Sequence, residues 1–176
     1  MREGPNDELA WQQEYLQSLA EATGYLSYEL LATCEDAAAT KDLLLAEIDP
    51  TAGDLYLGVD NGRRRDLVVM WLLRLVGDVN WMRRVIEFAS TSYAEQREVL
   101  HGLLPRMRRV CTNATGLGMQ MAEEANQSFA QVEAVPLPAS VKSDRATTLR
   151  RAFADRGVRV PVSSVVRTDL HSVRPS

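Results

Sequence analysis

The feature that constrains this chain most is a phase. From Val68, apolar residues recur in unbroken steps of four and three through Leu72, Leu75, Val79, Met82, Ile86 and Ala89, the spacing of a heptad seam on a helix. The same count runs on through Tyr93, Gln96, Leu100, Leu103, Met107, Val110, Ala114, Leu117 and Met121. It survives two helix-break signals, Ser90-Thr91-Ser92 and Pro105, where an unrelated loop loses the phase about six times in seven. Ser92-Tyr93-Ala94-Glu95 matches a capping box that starts a fresh helix, and an interior proline costs a helix about 3 kcal/mol. A kinked helix nevertheless keeps its seam on one side. The spacing therefore predicts helices over 66–90 and 92–131, separate or joined as one kinked helix.

Upstream, Asn6 or Asp7 can cap a helix that Asp49-Pro50 stops, predicting a helix over 7–48. Its seam, Leu9, Gln12, Leu16, Leu19, Thr23, Leu26, Leu30, Thr33, Ala37, Thr40 and Leu44, is apolar at seven of eleven positions. The threonines and Gly24 weaken it and make it dependent on partners. Between the helices, residues 49–65 read as a linker holding a short alternating segment, Leu55, Leu57 and Val59, and a cluster Arg63-Arg64-Arg65. Its aspartates do not fall at the alternate positions of an EF-hand calcium loop.

These elements predict an all-α chain: an elongated helical hairpin or coiled-coil-like bundle of two to three long helices in residues 1–134, with strands a minor part. Residues 135–176 read as a Pro-containing, largely extended basic tail. Residues 142–176 hold eight Lys and Arg against three Asp, +5, which leaves 12 against 21, or −9, for the first 141. Within the tail, 146–156 can form a short helix and Val158, Val160 and Val162 an extended strand. Arg150, Arg151, Arg156, Arg159, Val160, Val162 and Arg167 are the expected anchor to an acidic protein surface.

At 176 residues, 45% hydrophobic and 25% charged, the chain has the makings of a folded core. The first ten residues carry Glu3, Asp7 and Glu8 and no apolar run, so no leader is expected and the location is cytoplasmic. The run at 67–82 is broken by Arg74 and Asp78 and is too short to span a bilayer. Cys34 and Cys111 lack the spacing of a zinc or redox pair. Glu98-x-x-His101 has the spacing of a carboxylate-bridged iron site, yet the only other histidine is His171, and such a site needs a second pair. No phosphate loop follows a strand. No catalytic residue, metal ligand or cofactor is therefore expected.

The expected function is a non-enzymatic structural or scaffold subunit of a multiprotein assembly, cytoskeletal, microtubule-associated or virion-type. Its partners would be other helical subunits, hetero- or homo-oligomeric. They would meet the seam of Leu16, Leu19, Leu26, Leu30, Val68, Leu72, Leu75, Val79, Met82, Ile86, Leu100, Leu103, Met107 and Val110. One alternative is a nucleic-acid-associated protein using the basic tail, against which the acidic body weighs. Another is a compact helical-bundle enzyme or ligand binder.

Overall fold

The segment VVMWLLRLV, central to the heptad phase, is a strand. A computed structural model describes residues 25–49, 51–61, 68–114, 117–136 and 138–173, and within them the chain is an α/β structure. Six strands form one mixed sheet: β1 (Leu55–Asn61), β2 (Val68–Val76), β3 (Val79–Phe88), β4 (Arg109–Asn113), β5 (Val132–Val135) and β6 (Val158–Arg159). Five α-helices accompany it: α1 (Tyr28–Cys34), α2 (Tyr93–Leu103), α3 (Leu117–Ser128), α4 (Ala139–Ala154) and α5 (Ser164–His171). The expected all-α hairpin is thereby corrected. The apolar run became a strand because both of its faces are covered, which removes the polar alternation by which a strand is recognised.

The strand order is β5-β4-β1-β2-β3-β6. β1, β2 and β3 form an antiparallel meander, and β4 then returns to lie parallel to β1 with β5 parallel to β4. The β2–β3 connection is a two-residue turn whose first residue, Gly77, has φ 63°, a backbone that glycine adopts without strain. Between Leu72 and Leu73 the register with β3 shifts: Leu72 faces Arg84 and Leu73 faces Met82. Arg83 is the extra residue of this bulge, so Met82 turns to the face opposite Ile86.

Two cores result, one on each side of the sheet. On one side Val68, Met70, Leu72, Leu55, Leu57, Val59 and Val110 pack under Leu100 and Leu103 of α2, Met121 and Ala125 of α3, and Met107 between the two helices. On the other, Met82, Trp71, Leu73 and Val85 meet Leu26, Leu31 and Cys34 from α1 and its approach, Phe153 of α4, Val158 and Val160 around β6, and Val166 and Leu170 of α5. The residues expected on one partner-facing helical seam thus divide between two cores of this chain. Leu26, Leu30 and Met82 belong to the second; Val68, Leu72, Ile86, Leu100, Leu103, Met107 and Val110 belong to the first. Leu75 and Val79 flank the β2–β3 turn, half-buried. Leu16 and Leu19 lie outside the described residues, as does 7–24 of the predicted 7–48 helix; of its remainder only Tyr28–Cys34 is α-helical.

Residues 135–176, expected to be an extended tail, supply α4, β6 and α5. Val160 is buried and its N–H donates to the Cys34 carbonyl at 3.0 Å. Arg167 makes a two-pronged pair with Glu35, at 2.8 and 2.7 Å. Arg150 lies over the Tyr25 ring at 5.5 Å, Arg151 pairs with Asp155 at 3.5 Å, and Arg159 donates to the Arg156 carbonyl at 2.7 Å. Arg156 and Val162 are exposed. No described helix is long and apolar enough to cross a membrane.

Candidate functional site

β1 reads LYLGVDN, and its alternation sorts the side chains. Leu55, Leu57 and Val59 enter the core beneath α2 and α3, so Tyr56, Gly58 and Asp60 point to the other face. β4 repeats the arrangement, with Val110 and Thr112 buried and Arg109, Cys111 and Asn113 on that same opposite face. Tyr56 pairs with Arg109, and Gly58 with Cys111. One step further along these parallel strands, the Asn113 carboxamide Nδ2 donates to Asp60 Oδ1 at 3.0 Å.

This contact stands at the carboxyl ends of β1 and β4, where the chain's direction of travel across the sheet reverses: β2 and β3 lie on one side of β1, β4 and β5 on the other. Such a switch point opens a crevice at the strand ends, where α/β sheets hold their ligands. Asp60 is exposed there. A Cβ placed on Gly58 would meet nothing within 4 Å, so the floor beside Asp60 is open and a ligand can approach the backbone closely.

The row continues across the sheet. Asp60 faces Val69 on β2, and Val69 faces Glu87 on β3. The next row is Cys111, Gly58, Trp71 and Val85. Trp71, Val85 and Glu87 join Lys41, Val165, Val166 and Asp169 around a cavity of about 250 Å³. Where β4 and β5 begin, a groove of about 640 Å³ is lined by Tyr56, Arg108, Arg109, Asn126, Gln131 and Glu133, among others. There Arg109 Nε donates to Glu133 at 3.0 Å, and this hydrogen bond holds the guanidinium pKa above its usual range.

None of the expected seam or tail residues belongs to the Asp60 row. Glu98 and His101 lie on α2, where His101 meets the Phe129 ring edge-on at 6.0 Å, and His171 is buried with its Nδ1 2.8 Å from the Leu26 carbonyl. Among the described residues no three His, Cys, Asp or Glu side chains gather where they could hold a metal ion. Cys111, expected in a helix, is in β4, and both cysteines are free. Arg63, Arg64 and Arg65 lie outside the described residues. Sequence reasoning missed Asp60; its signal was the strand alternation that ends on it.

The architecture has solved counterparts. The large terminase nuclease domain of Thermus phage P74-26 is similar at 19% identity, covering 84% of this chain and 77% of that one, with a TM-score of 0.61. The large terminase nuclease of thermophilic phage G20c with bound cobalt matches at 19% identity over 77% of this chain and 69% of that one, TM-score 0.60. The large terminase of bacteriophage HK97 matches at 12% identity over 84% of this chain and 36% of that one, TM-score 0.57. No protein-family model and no curated protein sequence matches the chain. At such identities the likeness speaks for the fold, that of terminase nuclease domains. The expectation of a non-enzymatic, coiled-coil cytoskeletal scaffold is corrected at its base, because the described residues of the helical seams that supported it lie in strands and in this chain's own cores.

Proposed function

We propose that this chain is a DNA-acting nuclease domain of a phage-type packaging enzyme, working through the β1–β4 face with Asp60 at its reacting end. The observation that carries this is the placement of an exposed carboxylate at the sheet's switch point, on an open floor, in a fold whose solved counterparts are large terminase nuclease domains. A carboxylate fixed by the Asn113 amide through one oxygen keeps the other to orient a water against a phosphodiester lying over Gly58. The partner proposed is DNA, in a reducing cytosol that suits two free cysteines.

The G20c nuclease has been solved with magnesium, cobalt and zinc. A metal pair stands about 4 Å apart and is bridged by shared carboxylates. Here the residue beside Asp60 is a carboxamide. Glu87 and Glu133, on the same face but two strands away, stand on the order of 10 Å from Asp60, and Glu133 is held by Arg109. The described donor set does not fit a resident metal pair.

The experiment is nicking of supercoiled plasmid, with magnesium or manganese present, by the wild type and by Asp60→Asn. Asp60 is expected to contribute about 100-fold or more to the rate. Equal nicking by the variant would remove Asp60 from the reaction, and a wild type that neither nicks nor binds DNA would overturn the proposal.

A further inference from the structure

We propose that Arg74, Arg83 and Arg84, with Trp81 among them, form a phosphate-binding site on the side of the sheet opposite the Asp60 row. The group recognised is a phosphate, free or carried on a nucleic-acid backbone, and the site stands independently of the role given to Asp60.

Strand alternation brings the residues together. Leu72 packs into the core beneath α2 and α3, so Arg74, two residues on, shares its side of the sheet. In the β2–β3 register Trp81 faces Arg74 and Arg84 faces Leu72, which puts all three on that side. The bulge adds Arg83, whose guanidinium lies over the Trp81 ring at 5.4 Å. The patch stands beside the β2–β3 turn. Val69, the partner of Asp60, is five residues away along β2, or about 17 Å.

Each arginine is fixed by a main-chain carbonyl. Arg74 Nη2 donates to Asp49 at 2.8 Å, Arg83 Nη1 to Ala38 at 2.7 Å and Arg84 Nη1 to Leu43 at 2.7 Å. For Arg83 and Arg84 these bonds leave free the Nε–Nη2 edge, with which a guanidinium grips an oxyanion by two parallel bonds. Arg167 uses that same edge on the Glu35 carboxylate. In Arg83 and Arg84 it has no acceptor among the described residues, and the Nε atoms of all three arginines are buried without a hydrogen-bond partner. A buried donor left unsatisfied is costly, and three in one patch are donors for which the chain itself supplies no acceptor.

The charge of the patch is likewise unmatched. Asp36 is felt by Arg83, but its carboxylate accepts from the Ala38 N–H at 2.8 Å. Asp49, beside Arg74, accepts from the Thr51 N–H at 2.8 Å and hydroxyl at 2.6 Å, and Asp42, opposite Arg84, pairs with Lys41 at 3.3 Å. Burial, and after it the charge of Arg74, holds the Arg83 pKa below its usual range. An anion seated between the arginines relieves that repulsion. The Trp81 ring beneath Arg83 holds the guanidinium plane with its N–H edge outward, the arrangement suited to phosphate. A tetrahedral phosphate has oxygens enough for two forks at once, whereas a carboxylate has two in all.

The test uses the full chain. Arg83→Lys and Arg84→Lys keep the charge and the reach to the carbonyl but lose the two-pronged edge. Arg84→Gln removes the charge as well, and Arg145→Gln, at an exposed arginine of α4, is the control for net charge. Circular dichroism confirms that each folds. Inorganic phosphate is titrated by calorimetry at constant ionic strength, with acetate as the comparison anion. Wild type and Arg145→Gln should show a saturable phosphate site tighter than about 1 mM, and either lysine variant should weaken it about tenfold or more. Acetate should bind far more weakly. Binding of a fluorescent duplex across a salt series then separates the two sources of phosphate. If a nucleic-acid backbone occupies the site, Arg84→Gln should reduce the slope of log affinity against log salt by about one; if free phosphate does, duplex binding should not change. A wild type without saturable phosphate binding, or binding that both lysine variants keep in full, would overturn the site and leave the arginines as carbonyl clasps. Acetate bound as tightly as phosphate would overturn the choice of ligand. A chain that binds phosphate here but neither nicks nor binds duplex would overturn the DNA-acting role alone.

Discussion

Phe153 is 1% exposed and sits among Leu26, Leu31, Cys34, Val158 and Leu170, with its carbonyl 3.3 Å from the Cys34 thiol. Its removal leaves a cavity that the sheet above cannot close. Phe153→Ala is expected to lower stability by about 3–5 kcal/mol, read from urea unfolding; a loss below about 1 kcal/mol would place Phe153 outside the core. The same residue shows what the sequence concealed. Phe153 lies in a stretch with few large apolar residues, and its partners Leu26 and Leu31 are more than a hundred positions away, so composition alone made it part of a tail. Asp60 was legible in principle: Leu55, Leu57 and Val59 alternate, and the residues between them must share the opposite face. What hides it is its neighbourhood, because an aspartate beside Asn61-Gly62 resembles turn chemistry as much as a strand-end carboxylate.

At the scale of elements, α2 was the most legible. Ser92 Oγ accepts from the Glu95 N–H at 3.3 Å, while Glu95 accepts from the Ser92 N–H at 3.0 Å, a reciprocal capping box. Ser92→Ala is expected to cost about 1 kcal/mol. The hydrogen bond from the Ser92 hydroxyl, followed by that from its backbone N–H, holds the Glu95 carboxyl below its usual range. A lowered folded-state value means that this contribution is complete above the ordinary glutamate value of about 4.3 and fades as pH falls through the folded value. The gap between wild type and Ser92→Ala in urea unfolding should therefore narrow from pH 7 to pH 3; an unchanged or wider gap would take Glu95 out of the cap. β2 and β3 were the least legible. In a run where nearly every residue is apolar, steps of four and three find apolar residues without any helix, and Gly77-Asp78 between two such runs was the hairpin signal that outweighs them.

For the molecule as a whole, the division into acidic body and basic tail dissolves into a single sheet with a core on each face. The +5 segment is tied inward by Arg167 on Glu35 and Arg150 over Tyr25, pairings across long sequence separations that no local count reveals. What the topology adds to the sequence is the meeting of Asp60 and Asn113, 53 residues apart, at the reversal of strand order between β1 and β4. The claim that this face engages DNA is tested most directly by amide-resolved nuclear magnetic resonance during titration with a short duplex in magnesium. The largest shifts should fall on Gly58, Asp60, Cys111 and Asn113, with α2 and α3 on the far side of the sheet unmoved. Shifts confined to α2 and α3, or to the outer surface of α4, with the β1–β4 face silent, would contradict it.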